Sequence, residues 1–139
     1  MKTNTDQSST FLHSKESFET YEIVENKSLG GNEFRHLVVS GALLSFTQFE
    51  NVIFDSCVFF ASKLENCSFK NCSFTNCKFQ FSSLEHCHFA NTSLYNCSWE
   101  ASPMNKTNFF ECHMDHKTSH HIIRGNNRIT LDPAYAMAA

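Results

Sequence analysis

The chain predicts an all-β fold built of short extended pieces joined by tight bends, and three observations carry that prediction. Large apolar residues recur at every fifth position. A series of small residues keeps step with them two places earlier. Asparagines fall where such a chain has to bend. Starting at Phe34, seventeen consecutive positions spaced by five, ending at Met114, each hold a large apolar residue without a slip. The stretch CSFKNCSFTNCKF at 67–79 shows the pattern plainly, with Phe69, Phe74 and Phe79 each two places after a cysteine. After Asn32 and Leu37 the earlier series is small or β-branched throughout, and it contains all seven cysteines of the chain.

Apolar spacing therefore alternates two, three, two, three. That fits neither the 3.6 period of a helix nor the strict alternation of a strand, and no seven-residue repeat suggests a coiled coil. A chain that turns inward twice in five residues suits brief extended segments separated by bends. Asn51, Asn66, Asn71, Asn76, Asn91 and Asn96 all lie two places after a large residue. Asparagine tolerates left-handed backbone and bonds its own main chain, which suits a bend.

The run CSFKN, CSFTN, CKFQF, SSLEH, CHFAN, TSLYN resembles the pentapeptide-repeat family, whose loose consensus is A(D/N)LXX. The resemblance covers about residues 32–116. It implies a right-handed quadrilateral β-helix with four pentapeptides per coil, the central large residue and the small residue two before it both pointing inward. The chain departs from the family pattern in favouring Phe over Leu and Cys or Ser over Ala. It also rarely places Asp or Asn just before the central residue, Asn108 being an exception. Sorting by the implied coil of twenty residues segregates the large residues by type. One column is Leu44, Leu64, Leu84, Met104, and another is Phe49, Phe69, Phe89, Phe109. Stacking these at the inter-strand spacing of about 4.8 Å gives roughly four coils and a core about 20 Å long.

The ends of such a solenoid need caps, because terminal coils expose unpaired backbone. Residues 1–17 are polar and Ser/Thr-rich and are expected to be a mobile tail. Residues 18–31, with TYEIVENKSLGG, are expected as an N-terminal cap, Val24 and Leu29 still keeping the five-residue step. Residues 117–139 are expected as a C-terminal cap or tail. There RITL alternates like a strand before a DP break, able to cap the last coil or to pair with a second copy in a homodimer.

A net charge of −3 argues against the basic surface of a nucleic-acid binder. The start, MKTNTDQSST, has no apolar core of a secretory signal, and the VVSGALLSF stretch is too short and broken to span a bilayer. Cysteine-rich composition without a signal points to a reducing compartment and free thiols. The cysteines read as small, soft core residues that leave room for neighbouring rings. A zinc site needs convergent ligands, whereas CxxxxC on a four-sided coil sends successive thiols to different walls. Stacked pairs such as Cys57 and Cys77 lie near disulfide range, but parallel side chains on adjacent coils rarely reach the required torsion. The cluster His113, His116, His120 and His121 superficially resembles a metal site and reads as a solvated polar tail. His36, His86 and His88 read as surface residues.

No Gly-rich phosphate loop, GxSxG or HExxH motif appears, and a filled rod offers no concave pocket, so neither an enzyme nor a cofactor is expected. Outward positions are mostly polar, and the exceptions cluster. Val38, Leu43, Val58, Phe60 and Phe81 are expected to form one exposed apolar patch, a candidate protein-binding site. The alternative is self-coverage by residues 1–30 through Phe11, Phe18, Tyr21, Ile23 and Val24. The leading functional expectation is a bacterial cytoplasmic protein that neutralises or shields a protein target, as an immunity or toxin–antitoxin partner does; resistance functions come from the family resemblance. A gyrase-interacting DNA mimic is a second reading. It requires dense regular charge, whereas Glu33 to Lys117 holds eight acids and six bases spread over several faces. A secreted effector using the rod as a scaffold is a third.

Overall fold

A computed structural model describes residues 22–130. Strands of two or three residues form four parallel sheets, and the chain visits them in strict rotation. The first wall begins at Ile23–Glu25, the second at Ser28–Gly30, the third at Glu33–Arg35 and the fourth at Val38–Ser40. Each strand then pairs with the one twenty residues on, as in Phe49↔Phe69 and Phe69↔Phe89. The result is a four-walled β-helix of about five turns. It exceeds the expected four because winding starts earlier. Ile23–Glu25 and Ser28–Gly30, expected as cap, pair in parallel with Leu43–Ser45 and Gln48–Glu50. Val24 and Leu29 carry the inward step that makes this possible, and both are buried. The expected tail at 1–17, and residues 18–21 and 131–139 of the expected caps, lie outside the described residues.

The corners explain the period. The residue two after each large one adopts a positive φ, from Asn26 at 56° through Asn51, Asn66, Asn71, Asn76, Asn91 and Asn96 to Glu111 at 53°. A left-handed residue after three extended ones redirects the chain, and five residues make one side. Gly31 and Gly41 take two of the corners at φ 73° and 66°, where glycine adopts the conformation at no steric cost. Between corners the central side chain points into the lumen, so its neighbours on either side point out.

Aromatic rings fill the lumen in columns. Phe49, Phe69, Phe89 and Phe109 stack on the second wall at centroid steps of 4.7 Å with planes within 11°. Phe54 and Phe74 stack at 4.6 Å on the third wall, and Phe59, Phe79 and Trp99 at 4.8 and 4.2 Å on the fourth. Columns meet edge to face, as Phe69 and Phe74 do at 5.3 Å and 68°. Parallel in-register pairing imposes the stack, and the edge contacts lock one column against the next.

The small series occupies the corner side of the lumen and satisfies backbone there. Ser82 Oγ donates to Phe59 O at 2.9 Å and accepts from Ser62 N at 3.0 Å. Thr92 Oγ1 likewise donates to Ala90 O at 3.0 Å and accepts from Cys72 N at 3.3 Å. Cysteine sulfurs repeat the pattern, Cys77 Sγ lying 3.4 Å from Phe54 O and 3.5 Å from Thr75 O. All seven thiols are free and buried. Cys77 is shifted upward by the neighbouring Cys57 and Cys97 thiols and by burial, and Cys72 upward by burial. Both are therefore held as neutral core groups.

The histidine-rich segment is not a solvated tail. His116–Arg124 form a helix, α1, closing the C-terminal end of the rod. Asp115 caps it, Oδ1 accepting from Thr118 N at 3.2 Å while Oδ2 accepts from Asn96 N of the coil below at 2.6 Å. His121 stacks on Trp99 at 5.2 Å and 11°, taking the next tier of the fourth-wall column, and its Nε2–H donates to Ser102 O at 2.7 Å. Trp99 Nε1 donates to Thr118 Oγ1 at 3.0 Å. The other histidines of the segment, His113, His116 and His120, are exposed, as are His36, His86 and His88. After the helix Gly125 passes so close to the last first-wall strand that an added Cβ would lie 2.3 Å from Met104 O. Arg128–Thr130 then rejoins the second wall with Ile129 beside Phe109. Asn127 fills the small-residue position, its Oδ1 accepting from Thr107 N at 3.0 Å.

Two outcomes test this account. Phe74→Ala removes a fully buried ring that touches several others, and is expected to cost about 3–5 kcal/mol in denaturant unfolding; a cost below about 1 kcal/mol would contradict the stacked core. At the cap, burial holds His121 below its ordinary value of 6.5, with Arg124 pushing the same way. The unfolded cap then binds more protons, so cap stability is full above about pH 6.5 and falls as pH drops through the lowered value. Trp99 is the chain's single tryptophan, and its fluorescence reports this change directly. His121→Gln keeps a donor for Ser102 and is expected to flatten the pH profile; an unchanged profile would remove His121 as its cause.

Candidate functional site

With the lumen filled, side chains available to a partner are those facing out. Among the described residues no group of three His, Cys, Asp or Glu side chains lies close enough to hold a metal ion. Open depressions of about 540 and 650 Å³ flank the Trp99–His121 stack at the capped end. The larger is lined by His116, His120, Lys117 and Arg124, and the carboxylate at its edge, Asp115, is engaged as the helix cap.

The five residues singled out from the sequence lie around the edge between the fourth and first walls. Val38 and Val58 are register neighbours on the outer face of the fourth wall, both half-buried. Phe60 follows Val58 by two, so it shares that face. Phe81 occupies the adjoining corner one coil further on. The rings of Phe60 and Phe81 meet edge to face at 5.8 Å and 80°, while 41% and 58% of each residue stays exposed. Leu43 lies around the edge on the first wall, half-buried, and its register neighbours are Ile23 and Lys63. Phe60 and Phe81 thus touch, Val38 and Val58 adjoin, and Leu43 extends the apolar surface onto the next wall.

Two contributors were placed differently by the sequence. Ile23 and Val24, weighed there as cover for the patch, belong instead to the first coil: Val24 is buried in the lumen, while Ile23, 64% exposed, pairs with Leu43 on the outer face. Phe46, 59% exposed, stands at the corner on the far side of the first wall. Its signal was present but not used: it occupies a corner position, in the column where Asn26 and Asn66 stand above and below it.

Phe46 and Phe81 are held at φ 51° and 53°. Left-handed backbone costs a residue with a Cβ about 1–2 kcal/mol, and a bulky ring there is a true outlier. Both side chains remain largely in water, so little burial offsets that cost. Phe81 shares its corner column with Gly41, Ala61 and Ala101, and these small neighbours leave its ring room to reach Phe60. The outward positions of the first wall add charge. Glu25, Glu65 and Glu85 fall in one column, interrupted by Ser45, and Lys63 pairs with Glu65 at 3.1 Å.

A filled, four-walled β-helix with function confined to its outer faces is a solenoid scaffold. The chain carries pentapeptide repeats: the family model described as pentapeptide repeats matches in eight copies over residues 53–91 and 72–109. Proteins of this family are generally non-enzymatic scaffolds. Solved structures match it at low identity and low TM-score. QnrB1, described as a plasmid-mediated fluoroquinolone resistance protein, is 11% identical over 87% of this chain and 93% of its own, with a TM-score of 0.29. The pentapeptide-repeat protein Rfr23 from the cyanobacterium Cyanothece is 12% identical over 79% of this chain and 88% of its own, with a TM-score of 0.28. No curated protein matches the sequence significantly.

Replacing the strained corners tests their cost. Phe46→Asn and Phe81→Asn are each expected to raise unfolding stability by roughly 1 kcal/mol, since Asn accepts the left-handed corner and no core ring is lost. A drop in the denaturation midpoint for both would show that the rings contribute to folding rather than to a surface role.

Proposed function

We propose that this chain is a non-enzymatic binding rod that shields or neutralises a protein target, acting in the bacterial cytoplasm in the manner of an immunity protein. One observation carries the reading. Two phenylalanines stand exposed in left-handed corners where asparagine or glycine serves the fold better, Phe81 against Phe60 at the edge that also carries Leu43, and Phe46 at the opposite edge of the same wall. Contiguous exposed apolar surface of this kind marks a contact site, and aromatic residues are frequent anchors in such sites. The rod fixes their spacing, so little conformational entropy is lost when a partner binds.

The charge pattern favours a protein target over DNA mimicry. Acids are partly neutralised in place: Arg35 bonds Glu33 at 3.2 Å and Asp55 at 2.5 Å, and Lys63 pairs with Glu65. What remains is far from the charge every 1.7 Å or so of duplex DNA.

Tagged protein incubated with bacterial lysate provides the test. Wild type is expected to retain a specific protein, and Phe60→Asp and Phe81→Asp to reduce its recovery about tenfold or more, as loss of a central anchor does. Equal recovery by both charged variants, folded by circular dichroism, would abandon the patch.

A further inference from the structure

We infer that the capped end of the rod holds a second binding site, beside helix α1, for a small ligand carrying several linked phosphate groups. The depression of about 650 Å³ there is lined by His116, Lys117, His120, His121 and Arg124 around Trp99. Its volume falls within the range of small-molecule sites, and none of its lining residues belongs to the apolar patch. The one acid in the lining, Asp115, is engaged by Thr118 N and Asn96 N. No carboxylate pairs with Lys117 or Arg124 among the described residues. Concavity and uncompensated positive charge therefore coincide at this place.

Neither composition nor helix stability accounts for this face. Residues 22–100 hold eight acids and five Lys or Arg, whereas residues 101–130 hold two acids and four Lys or Arg, with four of the chain's eight histidines at 113–121. In the last turn of α1, His121 and Arg124 complement the helix dipole. In the first turn, which has no acid, His116 and Lys117 oppose it. His116 and His120, Lys117 and His121, and His120 and Arg124 are each four apart, so three pairs that repel when the imidazoles are protonated lie along one side of a nine-residue helix. An anion lying beside the row relieves that repulsion. His116 and Arg124 are separated by about 12 Å along the helix axis. A single compact anion meets only part of such a row, whereas linked phosphates, charged at every unit, follow it. The donors suit phosphate: lysine as a point charge, the arginine fork in bidentate contact and imidazole N–H groups beside them. A cationic or purely apolar ligand finds no counterpart in this lining.

Trp99 lines the site, so its fluorescence reads binding on the full chain. Titration with inorganic triphosphate at constant ionic strength is expected to change the emission saturably and to raise Tm. Lys117→Gln combined with Arg124→Gln is expected to weaken that binding about tenfold or more, with circular dichroism unchanged. Lys117 is exposed, so Lys117→Gln alone gives a smaller loss in the same direction if the double variant does not fold, and Lys117→Arg is expected to retain binding. A nucleoside triphosphate that binds more tightly than inorganic triphosphate would identify a nucleotide, and equal affinity the phosphate chain by itself; both support the site. Orthophosphate binding as tightly as triphosphate would overturn the linked-phosphate ligand, and citrate doing so would overturn the phosphate class. No response to triphosphate, or an equal response in the folded variants, would overturn the site.

Discussion

A left-handed corner recurs every five residues from Asn26 to Glu111, and only three extended residues separate one corner from the next. No strand of that length is stable alone. Each is held because four corners return the chain to the same wall, one strand spacing higher, where its amides meet carbonyls twenty residues away. The pairing is then in register by construction, and side chains of like position must stack. Corner geometry thus precedes the core: a change that opened one corner would shift every ring above it relative to those below. This explains why asparagine is so frequent at corners, and why the core can tolerate Phe, Leu, Met and Trp at the central position provided the step of five is kept.

The lumen makes a second demand. A ring at every inward position overfills the tube unless the alternate inward residue is small, and that residue sits where the backbone turns away from its ladder. Serine, threonine and cysteine solve both problems together. All three are compact; the hydroxyl of a residue such as Ser82 shares its proton between two carbonyls and accepts an amide from the coil below, while a thiol such as Cys77 approaches the two corresponding carbonyls. Cysteine is the softest of the three and forms the weakest of these bonds. Its concentration between Cys57 and Cys112 therefore speaks of space beside rings, not of redox or metal chemistry.

The winding was legible in the sequence because its period is dictated by geometry and admits no substitute. The limits of the winding were harder to read. Residues 22–31 lack the cysteine and serine partners of the later coils, so Val24 and Leu29 looked like a cap although their spacing was right. Helix α1 was hidden for a different reason. Its nine residues hold only two apolar side chains, and what fixes it is the Asp115 cap, the Trp99 stack and Gly125, all tertiary. Yet Ile129 stands fifteen residues after Met114, so the step of five survives the interruption, with a helix replacing strands. At the surface, Phe60 and Phe81 could be placed together by counting columns. Phe46 could not, because the sequence reading weighed neighbours of one edge and not the conformational cost of a ring at a corner.

That cost separates the phenylalanines at corners from those at central positions. A ring at a central position answers to the fold: it fills the lumen, and its presence says nothing about partners. A ring at a corner answers to no folding requirement, since the corner prefers a residue without bulk and the side chain lies in water. Phe46 and Phe81 bracket a single wall, and Phe60 leans on one of them from the next. Tyr95 and Phe110 are also exposed, on the third and second walls, but at strand positions with ordinary extended backbone, whereas Phe46 and Phe81 occupy left-handed corners on either side of the first wall. Fold stability alone favours asparagine at both corners, and this unrecovered cost is the physical ground on which the proposed contact at this edge rests.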